Sequence, residues 1–366
     1  MISVADRSCH TSASRALASL LLFAGSICLA SSAFAEGRFQ DPLDVPARVH
    51  TSVSGRPLMS IARAGASLVA VGSRGLIITS NDKGRNWVQA KVPVQSDLLA
   101  VHFPTPTEGW AVGHNGVVLH SVDAGRTWKS QLDGRISGPA FKAFYEAMGP
   151  EGAPAAKQLA LNYQAGPALP FLDVWFEDSK KGYAVGSFGM IMATTDGGGH
   201  WEPWLHKIDN PEYLNLNAIH DIGGDIYVVG ERGQIYRLDR GNDRFIRTDT
   251  GYLGSLFGVV GSGKRIIVYG LRGTVYRATV KGGRWAPLSM PNQHTITAGI
   301  SWNSGIALVN TAGELLVTKK ATNPIQFRIC PPAKPMRLTG IVALDDKSFV
   351  VTGLDGVRIE TVCDAP

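Results

Sequence analysis

The chain has 366 residues, with 36 Lys and Arg against 30 Asp and Glu, which gives a formal net charge of +6. The excess is mild, and the basic residues do not form the runs that nucleic-acid-binding proteins show. The composition therefore argues against a nucleic-acid partner.

The first 35 residues have the features of a cleavable export signal. Arg7 and Arg15 give a positive start, residues 16–30 are apolar, and Ala33-Phe34-Ala35 forms an A-x-A cleavage site. The apolar run is short for a bilayer span, and Ile27 before Cys28 argues against a lipoprotein. No later segment is continuously apolar. We expect cleavage after Ala35 and a periplasmic or secreted protein that does not span the membrane.

Residues 36–57 lie between this signal and the first of seven similar units. Within them, residues 47–53 (ARVHTSV) have the composition of a short strand. We expect this segment to supply the outer strand that the last unit lacks, so that the two ends of the chain close the fold together.

The seven units each contain an apolar strand, a Gly-x-x-Gly turn and a second apolar strand. The glycine that ends the turn recurs at Gly75, Gly116, Gly189, Gly233, Gly273, Gly313 and Gly356. Successive spacings are 41, 73, 44, 40, 40 and 43 residues, so the longest is one period plus an insertion of about 30 residues. A period near 40 built of short strands predicts that residues 58–366 form an all-β, seven-bladed β-propeller.

The glycine that opens the turn is present in six units, and Asn310 replaces it in the sixth. We expect the turn glycines to supply the positive φ angles that tight hairpins need.

Three units end in an Asp-box, the pattern Asp-x-Gly-x-x-Trp. Its Asp and Trp positions are Asp82 and Trp87, Asp123 and Trp128, and Asp196 and Trp201. The Asp side chain can accept N–H groups of its own turn, and the Trp can pack between blades. We interpret the box as a structural staple rather than a sugar or calcium site.

The turns between the second and third strands of each blade lie on the same side of a propeller as the connections between blades. We call this side the hairpin rim; its turns have the middle positions Ser73-Arg74, His114-Asn115, Ser187-Phe188, Glu231-Arg232, Leu271-Arg272, Thr311-Ala312 and Leu354-Asp355. Arg74, Arg232 and Arg272 occupy equivalent positions. Three guanidinium groups on one surface predict an acceptor for carboxylates or phosphates, although solvated turn residues would give the same pattern.

The insertion, residues 135–170, rises from the same rim between blades 2 and 3. Phe141, Phe144, Tyr145 and Met148 have the spacing of one apolar helix face, and residues 155–163 predict a second helix. Two alternatives remain open for this insertion: a plug over the mouth of the ring, or a surface that docks a partner together with the rim.

The last unit, residues 338–362, has only three strands, and two cysteines lie near it. Cys330 and Cys363 are the cysteines that remain after removal of the signal. They could form one disulfide that joins the last two blades, or stay as two buried thiols.

The motif Gly-[Trp/Tyr]-Ala-Val-Gly-x-x-Gly, followed by an Asp-box, resembles the photosystem II assembly and stability factor family. Residues 109–116 and 182–189 carry this resemblance, which is strong over the first three blades. It implies a non-catalytic propeller that acts as a scaffold for a membrane protein complex. The expected partner is an acidic tail or periplasmic loop of a membrane protein, bound by the arginines of the hairpin rim and the insertion.

Two other functions stay open. A sialidase-like hydrolase would need an arginine cluster, a Tyr nucleophile and acidic partners, for which Arg74, Arg232, Arg272, Glu231 and Tyr269 are candidates, but an Arg-Ile-Pro signature is missing. A polysaccharide-binding propeller would use exposed aromatics such as Phe188. The histidines lack metal-ligand spacing, His114 on the rim being the one to examine, and there is no phosphate-binding loop before a helix. We expect no metal and no cofactor.

Overall fold

The first strand of each predicted blade lies on the inside of a ring. The computed structural model describes residues 40–280, 283–302, 305–318, 325–332 and 334–363; the predicted signal peptide, residues 1–35, lies outside these residues. The described residues form seven antiparallel sheets in which the strands follow chain order. The predicted seven-bladed propeller is confirmed.

Blades 1 to 3 each have four strands. They are β1 (Leu58–Ala64), β2 (Ser67–Gly72), β3 (Ile77–Ser80) and β4 (Val88–Gln89); β5 (Leu98–His102), β6 (Gly109–Gly113), β7 (Val118–Ser121) and β8 (Lys129–Leu132); β9 (Phe171–Phe176), β10 (Gly182–Gly186), β11 (Ile191–Thr194) and β12 (Glu202–Pro203).

Blades 4 to 6 also have four strands, and blade 7 has three. They are β13 (Leu216–Ile222), β14 (Asp225–Gly230), β15 (Gln234–Asp239) and β16 (Arg244–Asp249); β17 (Leu256–Ser262), β18 (Arg265–Gly270), β19 (Val275–Thr279) and β20 (Ala286–Pro287); β21 (Ile296–Trp302), β22 (Gly305–Asn310), β23 (Leu315–Val317) and β24 (Arg328–Cys330); and β25 (Leu338–Ala343), β26 (Ser348–Gly353) and β27 (Gly356–Thr361).

Two α-helices and seven 3₁₀ turns complete the described elements. The helices are α1 (Gly134–Ala147) and α2 (Ala153–Asn162), both in the insertion between blades 2 and 3. The 3₁₀ turns are Ser73–Gly75, His114–Gly116, Gly149–Glu151, Ser187–Gly189, Leu205–Lys207, Glu231–Gly233 and Leu271–Gly273.

The core is divided among the interfaces between blades. Each of seven apolar clusters joins one blade to the next, and the last joins blade 7 to blade 1. The second strands are buried on both faces because neighbouring blades cover them, as in β6, where Trp110 is fully buried. The ring closes where β25 packs on β1 and the Thr339 hydroxyl donates to the Leu58 carbonyl across 2.7 Å.

The segment before the first blade differs from the prediction. Residues 47–53 form no strand, and blade 7 keeps three strands among the described residues. The Ala47 N–H instead donates to the Val92 carbonyl, and the Gln89 amide donates to the Arg48 carbonyl. The segment therefore runs beside the outer edge of blade 1. The composition of this segment indicated an extended chain, but it does not determine whether that chain lies along blade 7 or along blade 1.

The two cysteines form a disulfide. Cys330 ends β24 in blade 6, and Cys363 follows β27 in blade 7, 33 residues later. The bridge therefore ties the open-edged last blade to its neighbour, at the position that the sequence indicated for it.

Candidate functional site

The hairpin rim has the same backbone scaffold in all seven blades. In each blade, the residue directly after the opening position of the turn donates its backbone N–H to the carbonyl of the residue before that blade's first strand, at 2.9–3.4 Å. The donors are Ser73, His114, Ser187, Glu231, Leu271, Thr311 and Leu354. This bond persists where the sequence pattern decays, so the turns of all seven blades are held in equivalent places.

The two glycines of each turn are needed for different reasons. Gly116, which ends the turn in blade 2, has a φ of +63°, as predicted. Gly113, which opens that turn, is extended at φ −176°; it is glycine because a Cβ there would lie 2.0 Å from the Asp97 carbonyl oxygen. The prediction of positive φ is therefore wrong for the opening glycine. In blade 6, Asn310 occupies that position and its side chain caps the turn by accepting the N–H groups of Ala312 and Glu314.

The predicted arginines occupy a left-handed backbone position in the middle of their turns. Arg74, Arg232 and Arg272 have φ angles of 54°, 52° and 56°, and all three are exposed. The Arg74 N–H is satisfied by the carboxylate of Asp97 at 2.7 Å, and the Arg272 N–H by the Thr295 hydroxyl at 3.2 Å. Side chains from the start of the next blade thus stabilise a backbone position that non-glycine residues rarely adopt.

The segment before blade 1 completes a cationic pocket around Arg74. Arg48, His50 and Arg56 line a cavity of about 430 Å³ together with Arg74. Burial, then the charges of Arg56 and Arg48, lowers the pKa of His50, which favours the neutral imidazole at neutral pH. Sequence reasoning missed Arg48 and Arg56 because it assigned their segment to blade 7.

The other two arginines lie apart from this pocket. Arg232 and Arg272 belong to blades 4 and 5 and are not among the residues that line the cavity around Arg74. Arg232 pairs with Glu212, with both side chains about half exposed. Exposed pairs of this kind contribute at most about 1 kcal/mol, so an incoming carboxylate can replace Glu212. The rim therefore offers one enclosed cluster and two separate arginines rather than a single group of three.

His114 and Phe188 lie on the same rim. His114 is exposed, and its N–H donates to the Asp97 carbonyl. Phe188 has 52% of its surface exposed at a φ of 54°, with its N–H held by the Asn215 side chain at 2.7 Å. The backbone is held in this way, and the exposed apolar ring can contact a partner on the rim.

The insertion packs on blades 2 and 3 instead of covering the channel. Helix α1 begins at Gly134 because the Asp133 carboxylate accepts the N–H of Arg135 at 2.8 Å. Phe141 and Tyr145 are 2% and 0% exposed in the interface between these blades. They are therefore unavailable to a partner, which corrects their assignment as binding residues.

The remaining candidate of the insertion, Phe144, is partly buried and touches the rings of Tyr145 and His206. No insertion residue lines the central channel in the described part of the chain. The structure thus gives no support for the plug.

The three Asp-boxes share one hydrogen-bond pattern on the opposite rim, which we call the box rim (residues 80–87, 121–128 and 194–201). Asp123 accepts the Ser121 hydroxyl at 2.9 Å and the Thr127 N–H at 2.9 Å, and the Trp128 indole donates to the Gly125 carbonyl at 2.9 Å. Asp82 and Trp87 repeat this arrangement. Asp196 does so with Thr194 and His200, while the Trp201 indole N–H has no hydrogen-bond partner among the described residues. Each carboxylate is occupied within its own turn, as the staple interpretation requires.

The inner strands enclose a channel of about 900 Å³. The rings of His102 and His220 lie 4.0 and 4.3 Å from that of Trp175. Burial, reinforced at His102 by His220, lowers their pKa values to about 3 and about 4. Both histidines are therefore neutral at neutral pH.

The residues proposed for a sialidase-like site do not converge. Tyr269 is 5% exposed in the channel wall, whereas Glu231 accepts the Asn215 N–H at 2.9 Å on the hairpin rim. The described channel lining contains none of the three arginines. The candidate Tyr nucleophile, its acidic partner and the arginine cluster that would bind the substrate carboxylate thus lie in different places.

The fold is that of a seven-bladed Asp-box propeller, and its hairpin rim carries one pocket lined by three arginines. A family model described as photosynthesis system II assembly factor YCF48 matches residues 65–165 and 153–288, which is more than half of the chain. The chain belongs to this family, and the resemblance read from the Gly-Trp-Ala-Val-Gly motif is confirmed.

Curated relatives match in part. The photosystem II assembly lipoprotein Ycf48 of Synechococcus sp. (strain CC9902) is 30% identical over 132 residues, which are 35% of this chain and 38% of that protein. The protein with the same description from strain CC9605 is 46% identical over 66 residues, 18% of each chain. The matched parts thus span well under two thirds of these relatives. Both are described as photosystem II assembly lipoproteins.

Solved structures extend the likeness in fold to most of the chain. YCF48 bound to D1 peptide superposes with a TM-score of 0.63 at 15% identity, covering 87% of this chain and all of that one. YCF48 from Cyanidioschyzon merolae gives 0.62 at 15% identity, covering 87% and 98%. At such identity the likeness establishes the fold.

Proposed function

We propose that this protein is an exported, non-catalytic scaffold that assists the assembly or stability of a membrane protein complex. It does so by holding an acidic tail or periplasmic loop of a membrane protein against the hairpin rim. Membership in an assembly-factor family supports this role, and a structural neighbour is described as bound to a peptide. No helix in the described residues is long and apolar enough to cross a bilayer.

The observation that carries the proposal is the pocket of Arg48, Arg56 and Arg74. Its 430 Å³ can enclose one carboxylate-bearing side chain or a chain terminus, and guanidinium groups bind carboxylates in paired hydrogen bonds. Neutral His50 adds a further polar contact. Arg232, Arg272 and Phe188 then contact more distant parts of a bound segment.

Export completes the proposal. We infer that residues 1–35 are removed and that residues 40–57 dock beside blade 1, where they complete the cationic pocket before the propeller that begins at residue 58. The curated relatives are lipoproteins, which supports export of this chain as well. Mass spectrometry of the mature protein should find Glu36 at the N-terminus. An acylated Cys28 at the N-terminus would contradict cleavage after Ala35 and show that the protein carries a lipid.

Binding of a defined probe tests the rim. The probe is a fluorescent eight-residue peptide with alternating glutamates and a free C-terminal carboxylate, compared with its glutamine, amidated counterpart. Arg56→Glu with Arg74→Glu should weaken binding of the acidic peptide about tenfold or more, and Arg272→Glu should weaken it less. The matched control reverses two exposed charges of the box rim region, Arg85→Glu with Lys129→Glu, and should bind as the wild type does.

Equal affinity of the pocket variant and the wild type would reject the proposed site. Affinity purification from membranes with the same variants then asks whether a membrane protein complex is captured through this pocket.

A further inference from the structure

One segment of the chain lacks acidic residues altogether. Residues 250–313, which include all of blade 5, contain six Lys and Arg and no Asp or Glu. The excess of this segment equals the net charge of +6 of the whole chain. Positive potential is therefore concentrated here, without neighbouring carboxylates in the sequence to offset it.

A second cavity, of about 470 Å³, lies within this segment between blades 5 and 6. Arg265 on β18, Arg277 on β19 and Arg284 before β20 line it, and Ile325 of blade 6 forms another wall. In the strand pairing, Arg265 lies opposite Thr279, two residues from Arg277. Since alternate residues of a strand share a face, Arg265 and Arg277 project from the same face of the blade. No carboxylate is among the lining residues.

Two of these arginines are unpaired. Arg277 and Arg284 are exposed, and neither has a hydrogen-bond or ion-pair partner in the described part of the chain. Some surface arginines are held by carboxylates, as Arg240 is by Glu177 at 2.8 Å and Arg135 by Asp44 at 3.0 Å. Two unpaired guanidinium groups beside a third arginine disfavour each other, and a bound anion relieves that repulsion.

We propose that this cavity, which we call the blade 5 pocket (Arg265, Arg277 and Arg284), binds a phosphate group. Three guanidinium groups match an anion that carries more than one negative charge and several acceptor oxygens, which describes phosphate and pyrophosphate better than a single carboxylate. The cavity volume lies in the range of small-molecule sites. The phosphate can belong to a soluble ester or to a lipid headgroup.

The pocket is separate from the proposed client site. Arg265 follows the turn between β17 and β18, and in an antiparallel meander that turn lies on the side of the box rim. A phosphate group in the blade 5 pocket therefore leaves the hairpin rim free, and the two sites can be occupied together.

Calorimetry with pyrophosphate and sedimentation with vesicles test the proposal. The full mature protein should bind pyrophosphate, vesicles that contain phosphatidylglycerol, or both, more tightly than vesicles of phosphatidylcholine alone. Arg277→Gln with Arg284→Gln should weaken that binding about tenfold, while Arg85→Gln with Lys129→Gln, which removes the same charge elsewhere, should not. Arg265 is left intact because it has a contact of its own.

The probes separate the two sources of phosphate. Binding of pyrophosphate without vesicles assigns a soluble phosphate, binding of vesicles alone assigns a headgroup, and binding of both assigns the phosphate group itself. No binding of either probe, or equal binding by the pocket variant and the wild type, overturns the proposal. The acidic peptide of the client experiment should bind the pocket variant normally, so the two proposals can fail independently.

Discussion

The carboxylate of Asp173 on the inner strand of blade 3 accepts the main-chain N–H of Ile219 on the inner strand of blade 4, across 2.8 Å. Its other oxygen accepts the N–H of Val174 at 2.9 Å. Burial in the channel wall raises the pKa of Asp173 from 3.8 to about 7, although both N–H bonds favour the ionised form. One acidic side chain thus links two blades at the centre of the ring.

This pKa makes stability depend on pH. Between about pH 4 and about pH 7 the folded state holds a proton on Asp173 that the unfolded state has lost, so its contribution to the free energy of unfolding falls as pH rises through that window. Asp173→Asn should abolish this contribution. Chemical denaturation of both proteins at pH 5.0, 6.0 and 7.0 should show the wild type losing free energy of unfolding relative to the variant as pH rises.

The channel histidines change stability with pH in the opposite direction, and their effect is the same in the wild type and in the variant. The lowered pKa values of His102 and His220 make stability rise with pH up to about 6.5, in both proteins alike. The difference between wild type and Asp173→Asn therefore isolates the carboxyl group. A difference that does not vary with pH would contradict the raised pKa.

The Asp-box of blade 2 should contribute measurably to the free energy of unfolding. Asp123→Ala removes the acceptor of the Ser121 hydroxyl and of the Thr127 N–H and hydroxyl, so unfolding should require about 1–2 kcal/mol less free energy. Asp346→Ala, at an exposed position with no side-chain partner in the described residues, is the matched control. Equal stability of the two variants would reject the staple.

The repeat was readable from sequence because one physical demand recurs in every blade. The turn that ends in Gly75 must place a residue at positive φ, and the second strands must be apolar on both faces, so period and composition both survive. The insertion helices followed from apolar spacing for the same reason. The burial of these helices against the blades could not be predicted, because spacing identifies an apolar face without identifying what covers it. Phe141 and Tyr145 are covered by the protein's own blades.

The cationic pocket was only partly predictable. Arg74 belongs to the repeat and could be placed by counting, whereas Arg48 and Arg56 lie in a segment without periodicity. Its path is fixed by tertiary hydrogen bonds, such as that from the Gln95 side chain to the Pro46 carbonyl at 3.0 Å. No local pattern encodes such a contact.

The opening glycine of the turn should tolerate no side chain in blade 2. Gly113→Ala would place a Cβ 2.0 Å from the Asp97 carbonyl oxygen, which belongs to the backbone and cannot move alone. We expect a loss of about 1–3 kcal/mol or more, measured by thermal unfolding. Gly241→Ala is the control, since its nearest neighbour lies at 3.4 Å. An unchanged melting temperature for Gly113→Ala would contradict the close approach.

The disulfide should stabilise the last blade. It closes a loop of 33 residues, so Cys330→Ser with Cys363→Ser should lower the free energy of unfolding by about 3–4 kcal/mol in the chain-entropy description. A reducing agent should lower the melting temperature of the mature wild type and leave that of the double variant unchanged, because no other cysteine follows residue 35. Equal stability of both proteins under oxidising conditions would show that the bridge does not constrain the chain.

The insertion should behave as a docked part of the propeller. The Tyr145 hydroxyl donates to the Pro203 carbonyl of blade 3 at 3.0 Å and lies 3.0 Å from Nδ1 of His206. Tyr145→Phe keeps the ring but leaves a buried carbonyl without its donor, which should cost about 1–3 kcal/mol, and Phe141→Ala should cost about 3–5 kcal/mol.

Limited proteolysis distinguishes docking from simple loss of stability. Both variants should be cleaved within residues 134–170 faster than the wild type, at a temperature where the propeller remains folded, because the helices lose contact with blades 2 and 3 before the ring opens. Ile136→Ala, at a side chain that is 57% exposed, should be cleaved at the wild-type rate. If all three variants resist cleavage equally, the helices do not depend on these contacts, and the insertion would again be a candidate for a movable docking surface.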